Sequence, residues 1–399
     1  MRRRRLTIAD VARRAGVSVG TVSNVMNGTA AVRPQTRERV EAAMRELGYP
    51  VDGYARSMIS RAHRARNGPA DPERPRLVTV GYTSVDYTAR VEVLPHRDDR
   101  ITATAIEKSL GGPAANVAVV AAGLADRFPV AVELVTAIGD DADSEWALIE
   151  LARRRVDTIA IRRQPGQRLS RCIILVERNG SRTIVNEPFE LQESDLARYL
   201  GDGGAQAARC LHIEGYQVPR MLDSVRTMRR SGWLTSLQTT GLPATWRRTV
   251  PLCWLFAGFD VVFLNREVAR EATDCRGGMK QLIEATQGLV ESVADRGTVV
   301  LTLGEDGALV FPPGAAPIVQ AAPLVPVVDT TGAGDAFAGA FLAAWLHTRD
   351  AAVAARYGVA AGSLLVSVTG AQGAAPTAAD LERLLEPEAE PAKTLTGAS

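Results

Sequence analysis

The densest chemistry in this 399-residue chain lies in seven residues, Asp329 to Asp335, reading DTTGAGD and running straight into the apolar helical pattern AFAGAFLAAWL. Gly332, Ala333 and Gly334 leave three backbone amides unobstructed at a helix start, where free N–H groups and the helix dipole attract an anionic oxygen. An acid fixed at the mouth of such a site can take the proton of a hydroxyl as it attacks, so Asp335 is a candidate general base. Taken alone, the same turn also reads as an ordinary helix cap. Far upstream, Gly111-Gly112-Pro113-Ala114-Ala115-Asn116 opens another helix with the same kind of small-residue start.

Elements that would position these residues follow from the apolar rhythm. From Leu77 onward, apolar runs of four to six residues alternate with longer helical patterns, as at Leu77 to Val80, Val130 to Leu134, Leu211 to Ile213, Val261 to Leu264 and Thr298 to Leu303. That alternation predicts a mainly parallel sheet with helices on both faces. Ligands in such sheets bind beyond the carboxyl ends of the strands. Cys172 to Val176 and Arg182 to Val185, joined by Asn179-Gly180, predict a hairpin able to serve as a β lid.

The first 48 residues carry three short helical patterns instead. Thr7 can cap the first over Ile8 to Ala15, Gly16 breaks it, Ser18 can cap a second over Val19 to Met26, and Pro34 opens a third ending near Leu47. A helix, a tight turn and a second helix with a polar start is the layout that lays the second helix in the major groove of DNA. A three-helix bundle of other purpose fits the same pattern. Residues 1–66 hold 14 Arg against 5 Asp or Glu, a charge of +9, which leaves −7 for the remainder. A polyanionic partner is thereby expected for the first part only. The run SRAHRARNGPADPERPR from Ser60 to Arg76 reads as a linker, and the last dozen residues as a disordered tail. The boundaries expected are 1–60 for the DNA-binding part with its hinge, 61–76 for the linker, 77–385 for the α/β domain and 386–399 for the tail. Four scattered cysteines, Cys172, Cys210, Cys253 and Cys275, offer neither zinc spacing nor a disulfide framework, and a reducing cytoplasm fits them. No signal-peptide core or membrane span is expected.

TIADVARRAGVSVGTVSNVMNG, VRPQTRERVEAAMRELGY and YARSM, within residues 7–58, closely resemble the headpiece and hinge of the lactose-repressor (LacI-type) family. The resemblance implies that Thr7, Ser18, Thr21, Ser23 and Asn27 contact phosphates or brace the docking on operator DNA, while Val19, Gly20 and Asn24 face base edges. Asn24 stands where many members carry Arg, which favours an adenine contact over a guanine one. Met58 stands in for the leucine that wedges into the minor groove. Headpieces of this type act as dimers, so a homodimer is expected.

The GGPAAN and DTTGAGD strings together resemble the two signatures of the ribokinase (PfkB) carbohydrate kinases, in order and spacing over nearly all of residues 77–385. A ribokinase-like α/β fold, ATP as phosphoryl donor, Mg2+, and an activating monovalent cation such as K+ are implied. By that resemblance Asp86, Gly112, Asn116 and Glu214 bind the sugar, Asp335 is the base, and the amides of Gly332 to Gly334 hold charge on the transferring phosphoryl group. Without it, Asp86, Gly112 and Glu214 read as a strand-end acid, a helix cap and a surface acid. Thr302, Gly304 and Gly307 in TLGEDG resemble the nucleotide-binding turn, Asp329 and Thr331 the monovalent-cation ligands, and Asn265 the asparagine of the NxxE motif that organises magnesium through water. The NxxE glutamate position is Val268, with Glu267 one place early and Glu271 three places late. A one-residue shift turns a helical side chain by about 100°, which puts magnesium handling in question. Pro113 stands where ribokinases proper carry lysine, and LHIEG with NGSRTIV looks more like ketohexokinases, favouring a ketose or related sugar. Three functions fit: a sugar kinase that also regulates transcription, a transcription factor whose kinase fold is only a sugar sensor, and a nucleoside kinase fused to a DNA-binding domain.

Overall fold

Apolar side chains at Val11, Ala12, Ala15, Val22, Val25, Val40, Ala43 and Met44 recur at helical spacing, and burying them together folds the N-terminal helices Ile8–Ala15, Val19–Met26 and Pro34–Leu47 around a small core. The computed structural model describes residues 8–26, 33–47, 73–158, 160–178, 181–188, 196–197, 199, 207–249, 251–293, 296–367 and 375–386. Thr7, Asn27, Met58, the Asn179-Gly180 turn, most of the linker and nearly all of the tail lie outside the described residues, as do the side chains of Ser23 and Asn24. Two units are present, Met1–Pro69 and Ala70–Ser399.

In the first unit the turn between the leading helices is pinned from a distance. Arg39 donates from Nη2 to the carbonyls of Ala15 and Gly16, at 2.9 and 3.1 Å, meeting acceptors that a helix end leaves open. Ser18 Oγ accepts from the Thr21 amide at 3.0 Å and so caps the second helix.

The second unit is built on an eight-stranded sheet. Its order is Ile318–Gln320, Ala308–Phe311, Thr298–Thr302, Val261–Asn265, Leu234–Gln238, Arg209–Glu214, Arg76–Val80 and Ala131–Val135. The last six are mutually parallel, and the first two add antiparallel at one edge. This is the expected fold class, with the ends of the anticipated strands within two residues of the sequence reading.

Side chains alternate across the sheet. Val262, Leu264, Val299 and Leu301 join Met221, Val225, Leu255, Phe256 and Leu282 in one core, burying the faces of helices Val218–Arg230, Leu252–Gly258 and Met279–Glu291. Phe263, between Val262 and Leu264, points the other way and meets Phe337 and Phe341 of the helix Ala333–Thr348 edge-on. That helix also lies against Pro113–Gly123. Their backbones nearly touch at Gly339, where a Cβ would stand 2.6 Å from the Val117 carbonyl oxygen.

A second, four-stranded sheet runs Ala105–Gly111, Ser84–Val91, Ser170–Glu177, Arg182–Asn186. The hairpin read from sequence supplies its last two strands, paired antiparallel. Its first two were not anticipated. SVDYTARV and AIEKSLG mix charge with apolar residues, and their burial does not alternate: Ser84, Val85 and Asp86 are buried in succession, and Ile106, Glu107 and Lys108 are exposed in succession. Lys108 and Arg171 fasten this flap to the helix Ala142–Arg153 through Asp143, at 2.7 and 2.9 Å. Among the described residues no helix is long and apolar enough to cross a membrane.

Candidate active site

The turn Asp329 to Gly332 is shaped by Asp329, whose Oδ1 accepts from the Thr331 amide at 2.8 Å. Gly332 caps Ala333–Thr348, and the first helical bond is Ala336 N–H to the Gly332 carbonyl at 2.8 Å. The amides of Ala333, Gly334 and Asp335 precede it, so they are the open donors of this helix start. Ala333 makes only a long 3.5 Å contact to the Thr330 carbonyl.

Asp335 sits in the first turn, 7% exposed. Its Oδ2 accepts from Asn116 Nδ2 and its Oδ1 from Gln238 Nε2, each at 2.7 Å. Burial raises its carboxyl above the ordinary aspartate range, and the two amides pull it back down. Asn116 comes from the helix Pro113–Gly123, which the close crossing at Gly339 brings alongside.

Asp86 lies inside the flap strand Ser84–Val91, not at a strand end, and is buried. Burial pushes its carboxyl up to about 6, opposed by the Ser84 hydroxyl at 2.7 Å and assisted by the charge of Asp335. Gly111 makes the room: a Cβ there would fall 2.0 Å from Asp86 Oδ2. Gly112, at φ +97°, caps Pro113–Gly123, and a Cβ would stand 2.4 Å from the Tyr82 carbonyl oxygen. Only glycine fits both the dihedral and the contact.

Glu214 ends the strand Arg209–Glu214 and is fully buried rather than a surface acid. It accepts from the Tyr82 amide at 2.9 Å, the Ala114 amide at 3.2 Å and Gln217 Nε2 at 3.2 Å. Both oxygens therefore brace the floor of the site, joining the end of the first strand to the start of the Asn116 helix. Burial pushes this carboxyl up to about 8, against those donors and with a push from Asp335. The folded protein thus holds protons on Glu214 and Asp86 that the unfolded chain, titrating at 4.5 and 3.8, has released. Raised acids stabilise at low pH and lose that contribution as pH climbs through the folded value. The Tm of ligand-free protein is expected to fall from about pH 5 to about pH 8, and Glu214→Gln to flatten the upper part of the fall. A Tm that rises over this interval, or a variant with the parent slope, contradicts the assignment.

Asp86, Gly112, Asn116, Glu214 and Asp335 are thus brought together. Gln238, at the carboxyl end of its strand, belongs with them and was missed. A single amide carries no motif, and its only signal was its place at a strand end. Arg182 of the flap also reaches this region, donating to the Thr330 hydroxyl.

Asn265, Thr302, Gly304 and Gly307 form a second group on neighbouring strand ends. Asn265 and Thr302 are register partners, and Thr302 Oγ1 donates to the Leu264 carbonyl at 3.1 Å. Asn265 caps the helix Arg266–Thr273, its Oδ1 accepting from the Val268 amide at 2.9 Å. Val268 is buried in the core, while Glu267 and Glu271 are both taken by Arg247, at 3.3 and 3.0 Å. Val268→Glu is therefore expected to cost about 3 kcal/mol or more of stability, by burying a charge, without tightening Mg-ATP binding. Urea unfolding with nucleotide titration checks this; undiminished stability with tighter binding would show the position open to nucleotide. Among the described residues no group of three or more His, Cys, Asp or Glu can hold a metal ion unaided. The residues suit a magnesium ion carried mainly by phosphates and water. Among the described residues Thr331 Oγ1 is buried without a partner beside Asp329, a donor set that fits a monovalent cation.

In the headpiece, Ser18 and Thr21 hydroxyls lie 2.8 Å apart at the start of the second helix, and Val19 and Gly20 are exposed in its first turn.

A mainly parallel sheet whose strand ends face a β flap, with an acid seated under a glycine-rich helix start, defines a small-molecule kinase architecture. The profile described as "pfkB family carbohydrate kinase" matches residues 74–378, and that described as "Bacterial regulatory proteins, lacI family" matches residues 7–51. An ATP-dependent ribose-1-phosphate kinase of Halopiger xanaduensis is 30% identical over 309 residues, 76% of this chain and 95% of that one. The HTH-type transcriptional regulator CelR of Thermobifida fusca is 52% identical over 60 residues, 15% of this chain and 18% of that one. A fructokinase from Vibrio cholerae, solved with fructose, ADP and calcium, superposes with a TM-score of 0.62 over 79% of this chain and 100% of its own, at 24% identity, and shares the fold. The chain belongs to the pfkB family of carbohydrate kinases and carries a LacI-family DNA-binding domain at its N-terminus. It is an ATP-dependent sugar kinase fused to a transcriptional regulator.

Proposed function

We propose that the kinase unit transfers the γ-phosphoryl group of ATP to a hydroxyl of a ketose or closely related sugar, and that occupancy of this site sets operator binding by the headpiece. The observation that carries the reading is Asp335, buried beneath an open helix start and held by Asn116 and Gln238. Asp86, Gly112 and Asn116 hold the sugar hydroxyls over a floor braced by Glu214. Asp335 accepts the proton of the attacking hydroxyl as its oxygen bonds the γ-phosphorus and the bond to the β-phosphate oxygen breaks, leaving ADP. The amides of the Gly332 to Gly334 turn hold the charge that spreads over the transferring group. Thr302, Gly304 and Gly307 hold the nucleotide. Asn265 would hold Mg2+ through water, the ion supplying neutralisation of phosphate charge when bound, and Asp329 with Thr331 would hold K+.

On the DNA side Ser18, Thr21, Ser23, Thr7 and Asn27 fix the second helix on the backbone, Val19, Gly20 and Asn24 read bases, and Met58 wedges the minor groove. Two half-sites need two headpieces, so the protein acts as a homodimer. In support, Ile173 and Val185 are cross-strand neighbours on one side of the flap and both exposed, an apolar stripe suited to a second copy.

The positions of Val268, Glu267 and Glu271 favour a second reading, a sugar sensor without turnover. Incubating the protein with Mg-ATP and a panel of ketoses, pentoses, ribose 1-phosphate, sugar acids and nucleosides separates the two. Product from at least one sugar supports the sugar kinase, product from nucleosides alone supports a nucleoside kinase, and sugar binding with no product from any supports the sensor.

A further inference from the structure

Beneath the helix Ala333–Thr348, polar side chains line one face of a sheet that is otherwise apolar there. Arg209–Glu214 and Leu234–Gln238 are parallel neighbours whose register pairs His212 with Ser236 and Glu214 with Gln238. A strand repeats its direction every two residues, so all four point to the same side, and all four are buried. The polar line ends at Phe263, the register partner of Gln238 on the next strand, whose ring meets His212 edge-on.

His212 Nδ1 lies 3.0 Å from Ser236 Oγ. Gln238 spends its Nε2 on Asp335 Oδ1 at 2.7 Å and reaches Thr240 Oγ1 at 3.3 Å. Among the described residues three buried atoms on this face lack a hydrogen bond of good geometry: His212 Nε2, Gln238 Oε1 and the Oγ1 of Thr79, the register partner of His212 on Arg76–Val80. Of the three, the His212 and Gln238 side chains interact: burial drives the His212 ring down to about 3, and Gln238 is the group that opposes this. The imidazole is neutral at any working pH, with one N–H and one acceptor nitrogen. If the Ser236 hydroxyl donates to Nδ1, the proton sits on Nε2, and the complementary acceptor is the Gln238 carbonyl.

We infer that Ser236, His212 and Gln238 form a buried relay of positioning residues, with His212 Nε2–H donating to Gln238 Oε1 so that the amide keeps its N–H on Asp335. The inference rests on the reading of Asp335 as the base. An amide with oxygen and nitrogen exchanged would set an acceptor against the Asp335 carboxylate and turn it out of line with the sugar hydroxyl. His212 prevents that exchange without ever carrying the proton itself. A histidine within a core strand is otherwise unexplained, since apolar packing would serve the strand as well.

The test is a double-mutant cycle on the full chain. His212→Phe keeps a ring against Phe263 and removes both nitrogens; Gln238→Leu removes the amide. Each is expected to lower kcat by about 10- to 100-fold while the KM for sugar stays within about threefold. The double variant is expected to be no slower than Gln238→Leu alone, because the two act through one contact. His212→Gln, which restores a donor, is expected to recover most of the lost kcat. Should His212→Phe fail to fold, Ser236→Ala takes its place in the cycle, since it frees the tautomer at little change in volume. A His212 variant with the parent kcat, or losses that multiply in the double variant, overturns the relay. Asp335→Asn is assayed alongside: if it retains turnover the base assignment fails, whereas if it is inactive and His212→Phe is not impaired, only the relay fails.

Discussion

Asp335→Asn is expected to lower turnover of every accepted sugar by about 10³-fold, the scale of a lost general base. Asparagine keeps the shape of the side chain and its place beneath the helix start, but it cannot take a proton. Sugar affinity, measured by calorimetry, should change far less than kcat, because Asp86, Gly112 and Asn116 are untouched. The parent enzyme should also lose kcat/KM on the acid side at a pH above that of an ordinary aspartate, since burial raises the Asp335 carboxyl. The residual activity of the variant should lack this limb. Turnover by Asp335→Asn at the parent rate would remove the base assignment and everything built on it.

Removing residues 1–60 is expected to lower affinity for the operator of the protein's own operon by at least about 10³-fold, down to the level of unspecific contact. The steep salt dependence of binding should vanish with it, because the +9 charge of residues 1–66 is what displaces counterions from DNA. Gly20→Glu tests the same surface with the chain intact. A side chain at Gly20 meets open space, its nearest neighbour being Ser18 Oγ at 3.7 Å, so the variant should fold and still be repelled by phosphate. Unchanged binding by either variant would end the DNA-binding reading. If sugar occupancy alters operator affinity, operator DNA must alter sugar affinity by the same factor, which a titration in both directions checks.

The glycine-rich turn, the parallel strands and the three N-terminal helices were legible because each rests on local rules: turn chemistry, apolar runs and caps. What sequence could not supply was direction. Val268 was visible as a departure from NxxE, but that it faces the core while Arg247 holds both nearby glutamates depends on a helix docked elsewhere in the chain. Glu214 reads as a surface acid until three donors from separate segments close over it. The flap strands Ser84–Val91 and Ala105–Gly111 were hidden because successive residues are buried at one end of each, so neither shows the alternation of a strand covered on one face. Gln238 acquires meaning only through Asp335, 97 residues away.

The near-contact at Gly339 sets a gauge for the chemistry. Asp335 lies one helical turn before it, and Asn116 directly precedes the Val117 carbonyl that a Cβ would strike. A single methyl at 339 would act as a shim between the two rods, stretching the Asn116–Asp335 pair without changing the identity of any reacting side chain. Enzymes silenced in this way would look intact by any inventory of their catalytic residues.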